Sequence, residues 1–168
     1  FNSDSGISTR SAICSSIYRS FMHNRFWVND PDCLMIRQHK TKLNPEERQT
    51  LYNVITALGG MLVISDRLPD YSATEREMLL QAIALFDKAK DGDIYCNDVF
   101  GALHSFYNSN GLGVLLNVND IPCEATLKQE IINNYSKILL IENNTKIPSQ
   151  TKKFKLLPHS SKLFLFEK

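Results

Sequence analysis

Three things are scarce in this 168-residue chain: net charge, paired cysteines and long apolar runs. Nineteen Lys and Arg against eighteen Asp and Glu leave a formal charge of +1, too small a field to gather nucleic acid or an acidic membrane surface. No stretch approaches the roughly 18 to 20 apolar residues of a membrane span, so a soluble protein without nucleic-acid or membrane partners is expected. Cys14, Cys33, Cys96 and Cys123 are scattered with no Cys-x-x-Cys spacing, which reads as reduced thiols in a cytoplasmic setting. The chain opens at Phe1 with no initiator Met, basic leader or apolar h-region, so it reads as the middle of a longer chain without a signal peptide. Asn134-Tyr135-Ser136 and Asn143-Asn144-Thr145 are then chance matches to the glycosylation sequon.

Metal and phosphate chemistry find little support. His23, His39, His104 and His159 have no ligand spacing with one another or with cysteine. Asp87 to Asp98 puts acids at several calcium-loop offsets, but Ala89 occupies the third position and Asp98 stands where a bidentate Glu belongs, so it reads as a solvated loop. Gly111-Leu112-Gly113 has no helix after it and reads as a hairpin turn. No metal or other cofactor is expected.

What the chain has is apolar material in two different patterns. It is 43% hydrophobic, with nine Phe, six Tyr and one Trp, enough for one domain or two small ones. Ile13, Ile17, Tyr18 and Phe21 recur at helical spacing between Ser8 and Met22, with Ser8 or Thr9 as cap. Asn44-Pro45-Glu46-Glu47 is a helix start, followed by a buried stripe of Leu51, Val54, Ile55 and Leu58 and stopped by Gly59-Gly60. A further helix starts from Ser72 or Thr74 and carries Met78, Leu79, Ile83 and Leu85. Between these helices, Arg25 to Asn29 reads as a strand ending at Asp30-Pro31. Met61 to Ile64 reads as a strand buried on both faces. The alternation is that of a parallel α/β layer. After about Lys90 the pattern changes to short β-type runs, at Leu103 to Tyr107, Gly113 to Val118, Ser136 to Ile141, Lys153 to Leu157 and Lys162 to Phe166, which suggest a small antiparallel β-sandwich.

In parallel α/β folds chemistry gathers where strands end. The two expected strands end at Asn29-Asp30-Pro31-Asp32 and at Ser65-Asp66, so both carry acids at their carboxyl ends, although Asp and Asn also cap helices and close turns. Unaided, the residues define a carboxylate-rich α/β site and no more.

The run Phe21-Met22-His23-Asn24-Arg25-Phe26-Trp27-Val28-Asn29-Asp30-Pro31-Asp32-Cys33-Leu34 is followed by Glu46-Glu47 and Leu51-Tyr52. Gly59-Gly60-Met61-Leu62 and Ser65-Asp66-Arg67-Leu68-Pro69 come next. Together they resemble the last part of the catalytic barrel of glycoside hydrolase family 36, the bacterial-type α-galactosidases or melibiases. The resemblance covers roughly residues 10 to 120, and the tail fits the family's C-terminal β domain by position and strand pattern. It implies α/β plus all-β architecture: residues 1–90 as the C-terminal portion of a (β/α)8 TIM barrel, and 91–168 as the β-sandwich domain. It also implies a retaining glycosidase acting without metal or cofactor, in which one carboxylate attacks the anomeric carbon and a second carboxyl protonates the leaving oxygen and then activates water.

The family's nucleophile sits in a Lys-x-Asp motif that does not occur in these residues, so the 168-residue chain alone is expected to be inactive. Phe1-Asn2-Ser3-Asp4-Ser5-Gly6 corresponds to the segment bearing the acid/base, which makes Asp4 the candidate, although the family's Arg is missing and the distance to the helix is short. Asn29, Asp30 and Asp32 match the family motif, with Asp32 expected to support the pocket through hydrogen bonds. Trp27 reads first as barrel packing and second as pocket wall, and Ser65 and Asp66 stand between pocket support and capping. The implied substrate is a terminal α-linked galactoside such as melibiose or a raffinose-type oligosaccharide, with the oligomeric state left open. Two alternatives remain: an α-N-acetylgalactosaminidase of the same clan, and a non-catalytic carbohydrate-binding or interaction module whose weak platform candidates are Tyr107 and Tyr135.

Overall fold

The computed structural model describes residues 1–2, 6–96, 105–148 and 153–168. Three long helices form where capping chemistry and apolar spacing place them. Helix α1 (Thr9–Tyr18) begins at Ser8, whose hydroxyl accepts from the Ser11 amide at 3.1 Å. Helix α2 (Pro45–Leu58) opens with a reciprocal box: Asn44 Oδ1 accepts from the Glu47 amide at 2.9 Å, and Glu47 Oε2 accepts from the Asn44 amide at 2.8 Å. Helix α3 (Ala73–Ala89) repeats the device with Ser72 and Glu75. Gly59 closes α2 at φ +66° against the Ala89 carbonyl, where a Cβ would lie 2.6 Å from the oxygen. No helix among the described residues is long and apolar enough to cross a membrane.

From Thr50 onward α2 is buried on every side, because α1, α3 and the strands described below enclose it. Its expected stripe of Leu51, Val54, Ile55 and Leu58 is buried, and so are Thr50, Asn53 and Thr56. The latter three bond internally: Thr50 Oγ1 donates to the His159 carbonyl at 2.7 Å, Asn53 Nδ2 to Ser161 Oγ at 2.9 Å, and Thr56 Oγ1 to the Tyr52 carbonyl at 2.8 Å.

The parallel layer is smaller than expected and differently placed. Its strands are β1 (Cys33–Leu34) and β2 (Val63–Ile64), paired Cys33 to Val63 and Leu34 to Ile64. Residues 25–29 form no strand. Asn24, at φ +59°, donates its amide to the Trp27 carbonyl at 2.9 Å, and Phe26 donates to Met22 at 3.1 Å, so local turn bonds absorb the donors that a ladder would use. Nor is β2 buried on both faces: Met61 and Val63 are 40% and 37% exposed, because β1 covers one edge and no described strand covers the other.

Residues beyond α3 form a six-stranded antiparallel sheet in the order β3-β4-β5-β10-β7-β8. Its members are β3 (Ile94–Cys96), β4 (Ser105–Asn108), β5 (Leu112–Leu116), β7 (Lys137–Leu140), β8 (Thr145–Lys146) and β10 (Ser161–Glu167). Two further strands, β6 (Cys123–Thr126) and β9 (Lys153–Leu156), pair separately, and a short helix α4 (Gln129–Asn133) precedes β7. Gly111, at φ +86°, turns β4 into β5 as a hairpin. Strand β3 occupies part of the stretch expected to be a solvated loop; Asp98 lies outside the described residues.

Alternation divides the sheet's two faces. Phe106, Leu112, Val114, Leu116 and Leu163 join the helices in one cluster that runs from Ile13 through α2 and α3. Tyr107, Leu115, Phe164 and Phe166 point the other way, into a second cluster with Ala125 of β6 and Leu156 of β9. The sheet is therefore clad by helices on one face and by the β6–β9 pair on the other.

Gly60 sets the distance between the turn before β1 and the residue before β2, since a Cβ there would collide with the Asn29 carbonyl oxygen, the acceptor of the Met61 amide at 2.8 Å. Gly60→Ala is expected to destabilise the protein by about 1–3 kcal/mol through overpacking. Urea denaturation monitors this, and unchanged stability would contradict the tight approach.

Candidate functional site

The two acidic groups lie at opposite ends of the parallel pair. Between the Asn29–Met61 contact and the Cys33–Val63 pairing, the first segment advances four residues while the second advances two. The surplus is taken up by Asp30-Pro31-Asp32, with Pro31 buried and the two acids exposed, ahead of β1 rather than after a strand. Asp32 takes φ +80°, a conformation Asp tolerates better than most residues. Asp30 Oδ1 accepts from the Asp32 amide at 2.9 Å, and Asp32 Oδ1 accepts from the Cys33 amide at 2.6 Å. Both acids are exposed, each with one oxygen committed to the turn.

Asn29 faces inward and is 7% exposed. Its Nδ2 donates to the Ser16 carbonyl at 2.6 Å, while its backbone amide donates to His23 Nδ1 at 3.0 Å. With its carbonyl accepting from the Met61 amide, it ties α1, the aromatic turn and the residues before β2 together. Trp27, expected to pack inside a barrel, is 45% exposed, with its ring 6.3 Å from Phe26.

At the other end, Ser65 and Asp66 follow β2. Ser65 is exposed and its carbonyl accepts from Arg37 Nη1 at 3.3 Å. The Asp66 side chain is completely buried and fully engaged. Its Oδ2 accepts from the Ile36 amide at 2.6 Å, the Arg37 amide at 2.9 Å and the Tyr71 hydroxyl at 2.7 Å, and its Oδ1 accepts from Arg37 Nη1 at 2.6 Å. Burial pushes this carboxyl up, but the Tyr71 hydroxyl, the two amides and the guanidinium outweigh it and hold the group below the ordinary carboxylate range. Tyr71 shifts upward, by burial first and by its hydrogen bond to Asp66 second. Glu75, capped onto Ser72 and accepting from the Gln38 amide at 3.1 Å, is likewise held low by the Ser72 hydrogen bonds.

Asp66 is thus a carboxylate that keeps its charge more readily than usual and whose oxygens are engaged by four donors, unsuited to proton transfer and suited to tying the segment after β1 to the segment after β2. A cleft of about 340 Å³ opens beside it between Arg37, Lys40, Ser65, Arg67 and Tyr71. Asn29, Asp30 and Asp32 line no part of this cleft. Asp4 lies outside the described residues. No group of three or more His, Cys, Asp or Glu with metal-binding geometry occurs among the described residues.

Arg37, Tyr71 and Glu75 escaped sequence reasoning. The capping pattern Ser72-x-x-Glu75 was a signal for Glu75, but nothing local marks Arg37 or Tyr71 as partners of Asp66. The platform considered for a carbohydrate-binding module does not form: Tyr107 is buried, and Tyr135 is half-buried with its ring 5.3 Å from Phe166.

No family model matches the sequence. Solved structures do resemble the fold. Among them are α-galactosidase I from Mortierella vinacea (17% identity, TM-score 0.64, covering 95% of this chain and 44% of that one) and a β-L-arabinopyranosidase of glycoside hydrolase family 27 from Geobacillus stearothermophilus (11%, 0.70, 95% and 42%). An α-galactosidase from Saccharomyces cerevisiae, determined with raffinose, is similar at 11% identity and TM-score 0.61, covering 94% of this chain and 50% of that one. At such identities the likeness shows the fold alone, and the chain spans half the length of these structures or less.

The Asp66 hub makes a prediction about stability. Asp66→Asn leaves Arg37 without its ion partner and turns an amide NH2 toward backbone donors, so it is expected to cost about 3–5 kcal/mol in chemical denaturation. Because the folded-state values of Asp66 and Glu75 lie below their unfolded ones, their contribution is present above about pH 4 and is lost as pH falls through the folded-state values. The melting temperature of the wild-type protein should therefore drop steeply below about pH 4, and Asp66→Asn should flatten that limb; parallel acid limbs in the two proteins would contradict the assignment.

Proposed function

We propose that this chain is the C-terminal part of a retaining α-galactosidase of the family 36 kind, contributing the last barrel elements and the β domain to an enzyme that releases terminal α-linked galactose. One observation carries this reading: a single superposition embraces both the helical layer and the antiparallel sheet, over 94 to 95% of the chain, on enzymes whose names are α-galactosidase and β-L-arabinopyranosidase. The motif Trp27-x-Asn29-Asp30-Pro31-Asp32-Cys33-Leu34 supports the same reading from the sequence side.

The uncovered apolar surface of the parallel layer agrees with it. Phe26, Trp27, Val28, Met61 and Val63 are all exposed around two strands of two residues each. A barrel closes only with its full complement of strands, and open strand edges leave backbone groups and apolar faces without partners. Further barrel strands are the cover these residues fit.

In this reading the nucleophile lies outside the 168 residues. It attacks the anomeric carbon as the glycosidic bond breaks, Asp4 gives its proton to the departing oxygen, and the same carboxylate then takes a proton from the water that releases galactose. Exposure of the Asp32 side chain supports the reading that it lines the pocket as a supporting residue, with Asp30 and Asn29 shaping the turn beneath it. Asp66 and Ser65 serve the pocket indirectly, by fixing the strand ends through Arg37.

The test is hydrolysis of aryl α-galactosides by a protein that carries these residues together with their upstream barrel sequence. Turnover is expected there and absent from the 168-residue chain; no turnover by the longer protein would overturn the proposal. Asp4→Ala in that protein should slow poor leaving groups by about two to four orders of magnitude, the range typical of general acid catalysis, and good leaving groups far less. Equal losses on both would remove Asp4 from the acid role.

A further inference from the structure

The cleft beside Asp66 has a lining that the roles given so far leave unused. It lies past the carboxyl ends of β1 and β2, where parallel β/α layers hold their ligands, and its volume of about 340 Å³ is that of a small-molecule site. The segment after β1 contributes Arg37, His39 and Lys40, and the segment after β2 contributes Arg67, Asp70 and Tyr71. Counting Asp66, three permanent cations face two acids there.

The acids do not cancel the cations. Asp66 is spent on two amides, the Tyr71 hydroxyl and one corner of Arg37. Asp70 meets Arg67 only at 3.7 Å, with the Arg67 side chain 79% exposed, and such surface pairs contribute little. Lys40 makes no hydrogen bond or ion pair with any described residue, and its backbone is left-handed at φ +53°, which is uncommon for Lys. Arg37 is the fixed member of the group. Its Nη1 is held by Asp66 Oδ1 at 2.6 Å and by the Ser65 carbonyl at 3.3 Å. Its Nε is buried with no partner among the described residues, and its Nη2 reaches only Met35 Sδ at 3.8 Å, a weak acceptor. The guanidinium is therefore locked in place while Nη2 lacks an oxygen acceptor among the described residues, and a charged oxygen is the acceptor that suits such a donor best. A formal charge of +1 over the whole chain gives no broad surface for nucleic acid, so these cations suit one small anion.

We propose that the cleft at the carboxyl ends of β1 and β2 is an oxyanion site built on Arg37, Lys40 and Arg67, and that it takes the carboxylate, sulfate or phosphate group of an acidic saccharide. Arg37 supplies a donor whose position Asp66 fixes, while Lys40 and Arg67 supply charge from the two opposing segments. A bare oxyanion fills only a fraction of the cleft, which leaves room for the sugar that carries it. That the carrier is a sugar rests on the glycosidase reading given above; the oxyanion site itself does not.

Amide resonance spectra of the 168-residue chain, titrated separately with inorganic phosphate, galacturonate, galactose 6-sulfate and galactose, test both parts. The three anions should shift the Arg37, Lys40 and Ser65 amides saturably, the two acidic sugars at lower concentration than phosphate, and galactose should leave these amides unmoved. Lys40→Gly, which suits the left-handed backbone, and Arg67→Gln should each weaken the acidic sugars by about five-fold or more, the order expected for the loss of one charged donor. Neither side chain takes part in the Asp66 hub, so the fold is expected to persist in both variants. Asp70→Asn should strengthen binding, because it removes the acid that competes for Arg67. Equal shifts by galactose and galacturonate, no saturable shift with any anion, or unaltered affinity in Lys40→Gly and Arg67→Gln overturns the oxyanion site. Phosphate bound as tightly as either acidic sugar overturns the saccharide part alone. A longer protein, carrying the upstream barrel sequence, that hydrolyses no galactoside counts against the glycosidase reading and not against the site, which the titration decides on the 168-residue chain.

Discussion

Helix α2 has no face for solvent after its first turn, and the rest of the structure follows from that constraint. A helix enclosed on all sides must satisfy every polar side chain from its neighbours. Thr50 and Asn53 do so by bonding to the His159 carbonyl and Ser161 hydroxyl, which pins the end of the antiparallel sheet to the helix. The opposite side of α2 packs toward β1 and α3. One helix thus fixes the parallel layer and the sheet relative to each other, and their apolar residues merge into a common cluster.

That arrangement separates rigidity from exposure in the candidate site. The end of β2 is locked, since Asp66 draws in two amides, a hydroxyl and a guanidinium and has nothing left for a ligand. The approach to β1 is different: the Asp30 and Asp32 carboxylates are exposed and bond only within the turn, while the Asp30 carbonyl accepts from the Ser16 hydroxyl of α1 at 3.2 Å. Chemistry requires groups that can reach a substrate, supported by groups that cannot move. The Asp32 residue is exposed and the Asp66 side chain is not, although both are acids beside a strand.

Much of this was legible in the residues. Asn44-Pro45-Glu46-Glu47 and Ser72 to Glu75 announce helix starts because capping is local chemistry, and five of the later strands follow from β-type runs between turn residues. Long-range partnerships were not legible. Phe26-Trp27-Val28 has strand composition, yet the left-handed turn at Asn24 captures its carbonyls and amides before a neighbour can. Thr50 and Asn53 lie outside the expected stripe, and the carbonyl and hydroxyl that allow them to be buried come from His159 and Ser161, far along the chain. Asp66 stands between pocket support and capping in the sequence for the same reason: Arg37 and Tyr71 become its partners only through the fold. The strands β3, β6 and β8 are short and polar or interrupted, so period-two alternation had too few residues to register.

A retaining galactosidase assembled from these residues and upstream barrel strands, as proposed above, has a fixed stereochemical outcome. Proton resonance spectra recorded during early turnover of an aryl α-galactoside by the longer protein distinguish the anomers of galactose before they interconvert. Double displacement through a glycosyl-enzyme gives α-galactose first. First appearance of the β anomer would contradict the account, because it would require a single displacement by water.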